Sequence, residues 1–101
     1  MVFKIAITHN AHIDTLEGIE WYNKQSSIIG KRFYQTLQKK YKTLSQNPYF
    51  QIRYENVPCL PLAKFPYLIH YVVEEHREQI VIIGIICTYR NPERWKSSRK
   101  K

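Results

Sequence analysis

Five apolar residues, Ile29, Phe33, Leu37, Tyr41 and Leu44, follow one another at steps of 4, 4, 4 and 3. That spacing keeps them on one stripe of a 3.6-residue helix, so the segment is an amphipathic helix with one side that must be covered. Ser26 or Ser27 stands before the run as an N-cap. Asn47 and Pro48 close it, because the residue before a proline leaves the helical region. The rest of the chain therefore has to supply a matching apolar surface.

The flanking segments supply it in two forms. "VFKIAIT" alternates as a strand does, with Phe3, Ile5 and Ile7 on one face and Val2 on the other. Asn10 can cap a helix over "AHIDTLEGIEWYNKQ", in which Ile13, Leu16, Ile19 and Tyr22 mark the expected buried stripe. Asp14 and Glu17 in its early turns suit the positive end of the helix dipole. The break before the second helix is only two or three residues, which predicts an antiparallel helical hairpin. After Pro48, "YFQIRYENV" alternates, and "CLPL" with its two prolines reads as an edge or a connection. "FPYLIHYVVEE" and "QIVIIGIICTY" flank the polar turn "EEHRE" as a β-hairpin.

The element order is β-α-α-β-β-β. It predicts an α+β fold: an N-terminal strand and an antiparallel helical hairpin packed on a small, mostly antiparallel β-sheet. With 101 residues and no repeat or linker, residues 1–101 form a single domain, and residues 96–101 are expected to be a flexible basic tail.

Composition narrows the function classes. The chain is 44% hydrophobic, which is ordinary for a globular protein and too rich for disorder. It has no apolar run long enough to span a bilayer, and "MVFKIAITHN" lacks the features of a secretory signal. A cytoplasmic protein with no membrane partner is expected, with Cys59 and Cys87 as reduced thiols packed like small hydrophobes. The formal net charge of +8 suits a polyanionic or acidic partner, although charge alone is equally compatible with plain solubility. Its distribution is uneven. Residues 24 to 46 hold six basic side chains (Lys24, Lys31, Arg32, Lys39, Lys40, Lys42) and no acid, whereas the final twelve residues hold six against Glu93 alone. Such asymmetry fits a footprint for phosphate or an acidic chain, or an ordinary solvated helix face.

The catalytic templates leave few candidates. The three glycines are isolated, so no phosphate-cradling loop is present and no cofactor is expected. His9 and His12 could touch one ion but lack a third ligand, so no metal is expected. His70 and Tyr71 adjoin on a strand and point to opposite faces, and either could serve acid–base work or simply pack. Arg53 lies between apolar neighbours on a strand, and Arg90 ends the last one. Together they could clamp a phosphate, or Arg90 could stack on Trp95 instead.

Three stretches resemble the RelE/ParE superfamily of type II toxin–antitoxin toxins, on the ParE-like, plasmid-stabilisation side. They are "AHIDTLEGIEWYNKQSSIIGKRFYQTL" with its closing "NP", then "FPYLIHYVVEE", then "TYRNPERW". The likeness covers almost the whole chain and is most specific in "WYNKQ" before "GKRF" and in the terminal Arg-Asn-Pro-x-x-Trp. It implies the same β-α-α-β-β-β fold and a growth-inhibiting toxin neutralised by an acidic cognate antitoxin. The target would be DNA gyrase in one branch, or mRNA in the ribosome in the other. The nuclease branch works without metal through Lys, Arg, His and Tyr side chains. Its hairpin arginine falls here on Leu68, which removes a source of transition-state charge stabilisation. Its late-strand arginine matches Arg90, Arg53 sits near another basic position, and Trp95 and Lys96 occupy the C-terminal Tyr or His region. Many close relatives have His where this chain has Cys87. The expected reading is a gyrase-type inhibitor using Arg53, Arg90, Arg94, Trp95 and Lys96 to bind target or antitoxin. The alternatives are a metal-free endoribonuclease using Arg53, Arg90, His70 or Tyr71, and a non-toxic nucleic-acid-binding or decayed toxin domain.

Overall fold

The computed structural model describes residues 2–49, 52–54 and 57–88, with the side chains of 52–54 and 57 left out. Strand β1 (Lys4–Ile7) leads into helix α1 (His9–Asn23), and α2 (Ser27–Gln46) follows after a short connection. Strands β2 (Ile52–Tyr54), β3 (Val57–Pro61), β4 (Tyr67–Glu74) and β5 (Gln79–Cys87) complete the chain, with a 3-10 turn, Glu75–Arg77, between the last two. The sheet order is β1-β5-β4-β3-β2, in which only β1 and β5 run parallel. This is the α+β architecture expected from the sequence, with one strand more. The first three residues of "CLPL" lie in β3, between β2 and β4, so the segment is neither an edge nor, apart from Leu62, a connection. Pro58 is in register with β2 and Pro61 with β4. A proline paired on one side only can turn its missing N–H away from the ladder, so both are tolerated.

Helix α2 follows its apolar period. Phe33, Leu37, Tyr41 and Leu44 are buried, Ser26 caps the start by accepting from the Ile28 N–H at 3.2 Å, and Asn47 ends the helix in extended backbone. Helix α1 departs from expectation in two respects. Its N-cap is Thr8, not Asn10: the Thr8 hydroxyl accepts from the Ala11 N–H at 3.2 Å and donates to the Ile82 carbonyl at 2.9 Å. One side chain thereby ties the end of β1, the start of α1 and β5 together, a combination unavailable to Asn10 inside the first turn. The buried stripe is also rotated. Ala11, Thr15 and Gly18 are buried, whereas Ile13 and Leu16 are 41% and 51% exposed. Small residues on the inner side bring α1 close to α2 and β5, and that proximity outweighs the hydrophobicity of the larger pair.

The core lies between the hairpin and one face of the sheet. It joins Phe33, Leu37, Tyr41 and Leu44 to Leu60, Tyr67, Ile69, Tyr71, Ile80, Ile82 and Ile85. Each fully buried aliphatic or aromatic side chain contributes about 1.5–3 kcal/mol of transfer free energy. A ring cluster closes one end: Phe33 lies 5.3 Å from Tyr22, 5.4 Å from Phe65 and 5.0 Å from Tyr67 between centroids. Aromatic contacts at these distances anchor the β3–β4 connection onto the helices.

Candidate functional site

The register of β4 on β5 decides where the candidate acid–base residues point. Tyr71 pairs with Ile82 and His70 with Gly84, which leaves Ile83 as an extra residue on β5. This β-bulge shifts the alternation so that Ile80, Ile82 and Ile85 all face the helices. Tyr67, Ile69 and Tyr71 join them there, while Leu68 and His70 face away.

Tyr71 is fully buried in the core, and its hydroxyl donates to the Pro48 carbonyl at 2.8 Å. The bond ties the end of α2 to the centre of the sheet, and it occupies the one proton that Tyr71 would give in acid catalysis. His70 is also without solvent exposure, on the opposite face. Its cross-strand neighbours are Cys59 and Gly84, and the adjacent pair on the same face is Leu68 with Ile86. None of these four carries a charge. Leu68 therefore stands beside Ile86 in an apolar strip.

The two cysteines are thiols on opposite faces. Cys59 lies beside His70, and Cys87 packs against the core across from Tyr67. Side chains that point to opposite sides of a sheet cannot form a disulfide without moving the backbone. Among the described residues no group of His, Cys, Asp or Glu has the arrangement of a metal site, and no helix is long and apolar enough to cross a membrane.

The remaining candidates divide sharply. Arg53 lies on β2 opposite Pro58, and its side chain is outside the described set. Arg90, Arg94, Trp95 and Lys96, with the expected tail of residues 96–101, also lie outside the described residues. The clamp of Arg53 with Arg90 expected from the sequence therefore lies outside the described residues.

The surface features are clearer. Lys31, Arg32, Lys39 and Lys42 are exposed on the side of α2 away from the core. At the other end of the sheet, Tyr49 stacks edge-on to Phe3 at 6.3 Å and donates from its hydroxyl to Glu75 at 2.6 Å. That hydrogen bond raises the Tyr49 pKa. Sequence reasoning did not single out Lys64, which has a left-handed backbone, φ 70°, in the turn before β4. No turn glycine marks that position, so only the backbone angle brings it to notice.

No family model matches the chain, and no curated protein matches it. Solved structures do. A chain of the chromosomal ParDE TA system from P. aeruginosa is similar with a TM-score of 0.70 and 18% sequence identity, covering 83% of this chain and 94% of that one. The fold is shared.

Proposed function

We propose that this chain is the toxin of a type II toxin–antitoxin module. The observation that carries the proposal is the fold shared with the ParDE chain, which extends over nearly all of that chain at a TM-score of 0.70. The net charge of +8 supports an acidic antitoxin as the partner. The proposed action is stoichiometric inhibition of a cytoplasmic target, with a gyrase-type target favoured. Three features favour inhibition by binding over RNA cleavage: Tyr71 is committed to Pro48, His70 is shut from solvent, and Leu68 stands in an apolar strip. A metal-free nuclease needs cationic and acid–base groups open to the phosphate that it cleaves.

Pulse labelling within minutes of induction in a bacterial host without antitoxin tests this. Loss of thymidine incorporation with amino-acid incorporation intact is the expected outcome. Early loss of amino-acid incorporation would replace it with the ribosomal nuclease. Growth without arrest, with the folded protein present, would sink the toxin reading altogether.

A further inference from the structure

A groove of about 540 Å³ runs between α2 and the β3–β4 connection. Its walls carry three cations, Arg32 and Lys39 from α2 and Lys64 from the turn, with no carboxylate among them. Arg32, Gln35 and Lys39 stand three and four residues apart, so they form one stripe, and Arg32 and Lys39 are about 10 Å apart along the axis. The Phe65 ring forms part of the lining. It packs edge-on against Phe33 and Tyr22 at 5.4 and 5.1 Å, which fixes the turn beside the helix. The Thr36 hydroxyl donates to the Arg32 carbonyl at 2.8 Å, leaving the Gln35 amide as the neutral donor on that wall.

Lys64 is placed at a cost. The Phe65 N–H donates to the Leu62 carbonyl, and Lys64 holds φ 70° within that turn, where glycine or asparagine would sit without strain. A lysine there sets a cation opposite Arg32 and Lys39 that a relaxed turn would lack.

We propose that this groove binds the phosphodiester backbone of a nucleic acid. Three converging cations with an amide donor suit a run of phosphates. The half-buried Phe65 ring is engaged with Phe33 and Tyr22 and so is not a stacking platform for bases, which points to backbone contact without sequence readout. An acidic protein segment would carry its charges on flexible side chains. The Arg32 guanidinium can take one phosphate through two parallel hydrogen bonds, with Lys39 and Lys64 as point charges for its neighbours on the same backbone. The site does not depend on which cellular target the toxin reading assigns.

The test is fluorescence anisotropy of the full chain with a labelled 20-base-pair DNA duplex, the RNA duplex of the same sequence, and a poly-glutamate of equal length, over a salt series. Arg32→Gln, Lys39→Gln and Lys64→Gln are each expected to weaken nucleic-acid binding about fivefold to tenfold at about 0.1 M salt, and to reduce the salt slope by about 1. Lys4→Gln, on β1 and outside the groove, gives the background effect of losing one charge. Tighter binding of one duplex identifies DNA or RNA as the source of the phosphates. Lys64→Gly separates binding from folding: it is expected to raise or preserve the melting temperature while weakening binding as much as Lys64→Gln. The proposal is overturned if the three groove variants, folded by circular dichroism, behave like Lys4→Gln. It is equally overturned if poly-glutamate binds as tightly and loses as much on the same substitutions.

Discussion

The Asp14 carboxylate accepts a hydrogen bond from the Ile85 backbone N–H at 3.0 Å. Beyond Ile82, β5 no longer has β1 beside it, because the chain turns at Thr8 into α1. A carboxylate from the helix takes over as acceptor at the strand edge that β1 has left. A buried N–H without an acceptor is costly, so the side chain completes the sheet where the backbone cannot. Asp14→Ala is expected to destabilise the fold by about 1–3 kcal/mol, read as a shift in the urea midpoint. Asp14→Asn keeps an acceptor oxygen and should recover at least half of that loss. Equal losses for the two variants would show that the negative charge, and not the hydrogen bond, is what matters.

At Gly18, α1 packs directly on the Phe33 ring of α2. A Cβ at this position would lie 2.6 Å from two ring atoms of Phe33, which is fully buried and cannot swing aside. Alanine is about 1 kcal/mol better than glycine inside a helix, yet overpacking of a core typically costs about 1–3 kcal/mol. Gly18→Ala is expected to lower stability, and Gly18→Ala combined with Phe33→Leu to recover part of the loss. A thermal melt showing Gly18→Ala to be more stable than the parent would mean that the two helices separate freely.

Burial pushes the Tyr41 hydroxyl up to about 12, with the Thr15 hydroxyl offsetting part of the rise. The protonated phenol is the form that the fold accommodates. Stability from this group is therefore complete below pH 10 and is lost as pH rises from 10 to about 12, on the order of 2 kcal/mol in total. Among the described residues the hydroxyl makes no hydrogen bond of ordinary geometry. Tyr41→Phe should thus be neutral or slightly stabilising at pH 7 and should flatten the alkaline limb. Parallel stability–pH curves for the two proteins would contradict this.

The bond from Tyr71 to the Pro48 carbonyl spans 2.8 Å within the core. Tyr71→Phe removes this hydrogen bond, at a cost of about 1–2 kcal/mol. On the proposed toxin reading, inhibition of growth should persist at a temperature where the variant remains folded, because Tyr71 serves packing. Abolished toxicity in a folded Tyr71→Phe protein would restore it as an acid–base group.

Helix α2 was readable residue by residue, from Ser26 through the stripe to Asn47, because an amphipathic helix on a single core repeats one physical constraint every turn. The β4–β5 hairpin was readable for the same reason at period two. Helix α1 was readable only in part: Ile19 and Tyr22 pack against the core as expected, but Ala11, Thr15 and Gly18 give little hydrophobic signal, and their burial follows from close approach to Phe33 and β5. The chain's residues alone also established the split of charge between α2 and the acidic turn, and the alternation that sends His70 and Tyr71 to opposite faces. Which of the two faces the helices was decided by the bulge at Ile83 and the packing around it. Arg32 and Lys39 could be placed on one helix stripe by spacing. Their meeting with Lys64 required Phe65 to seat the turn against Phe33, a contact between residues distant in the chain that no local pattern encodes. Local periodicity sets which elements form and which way their side chains alternate, whereas sites are made by contacts whose geometry exists only once the elements have packed.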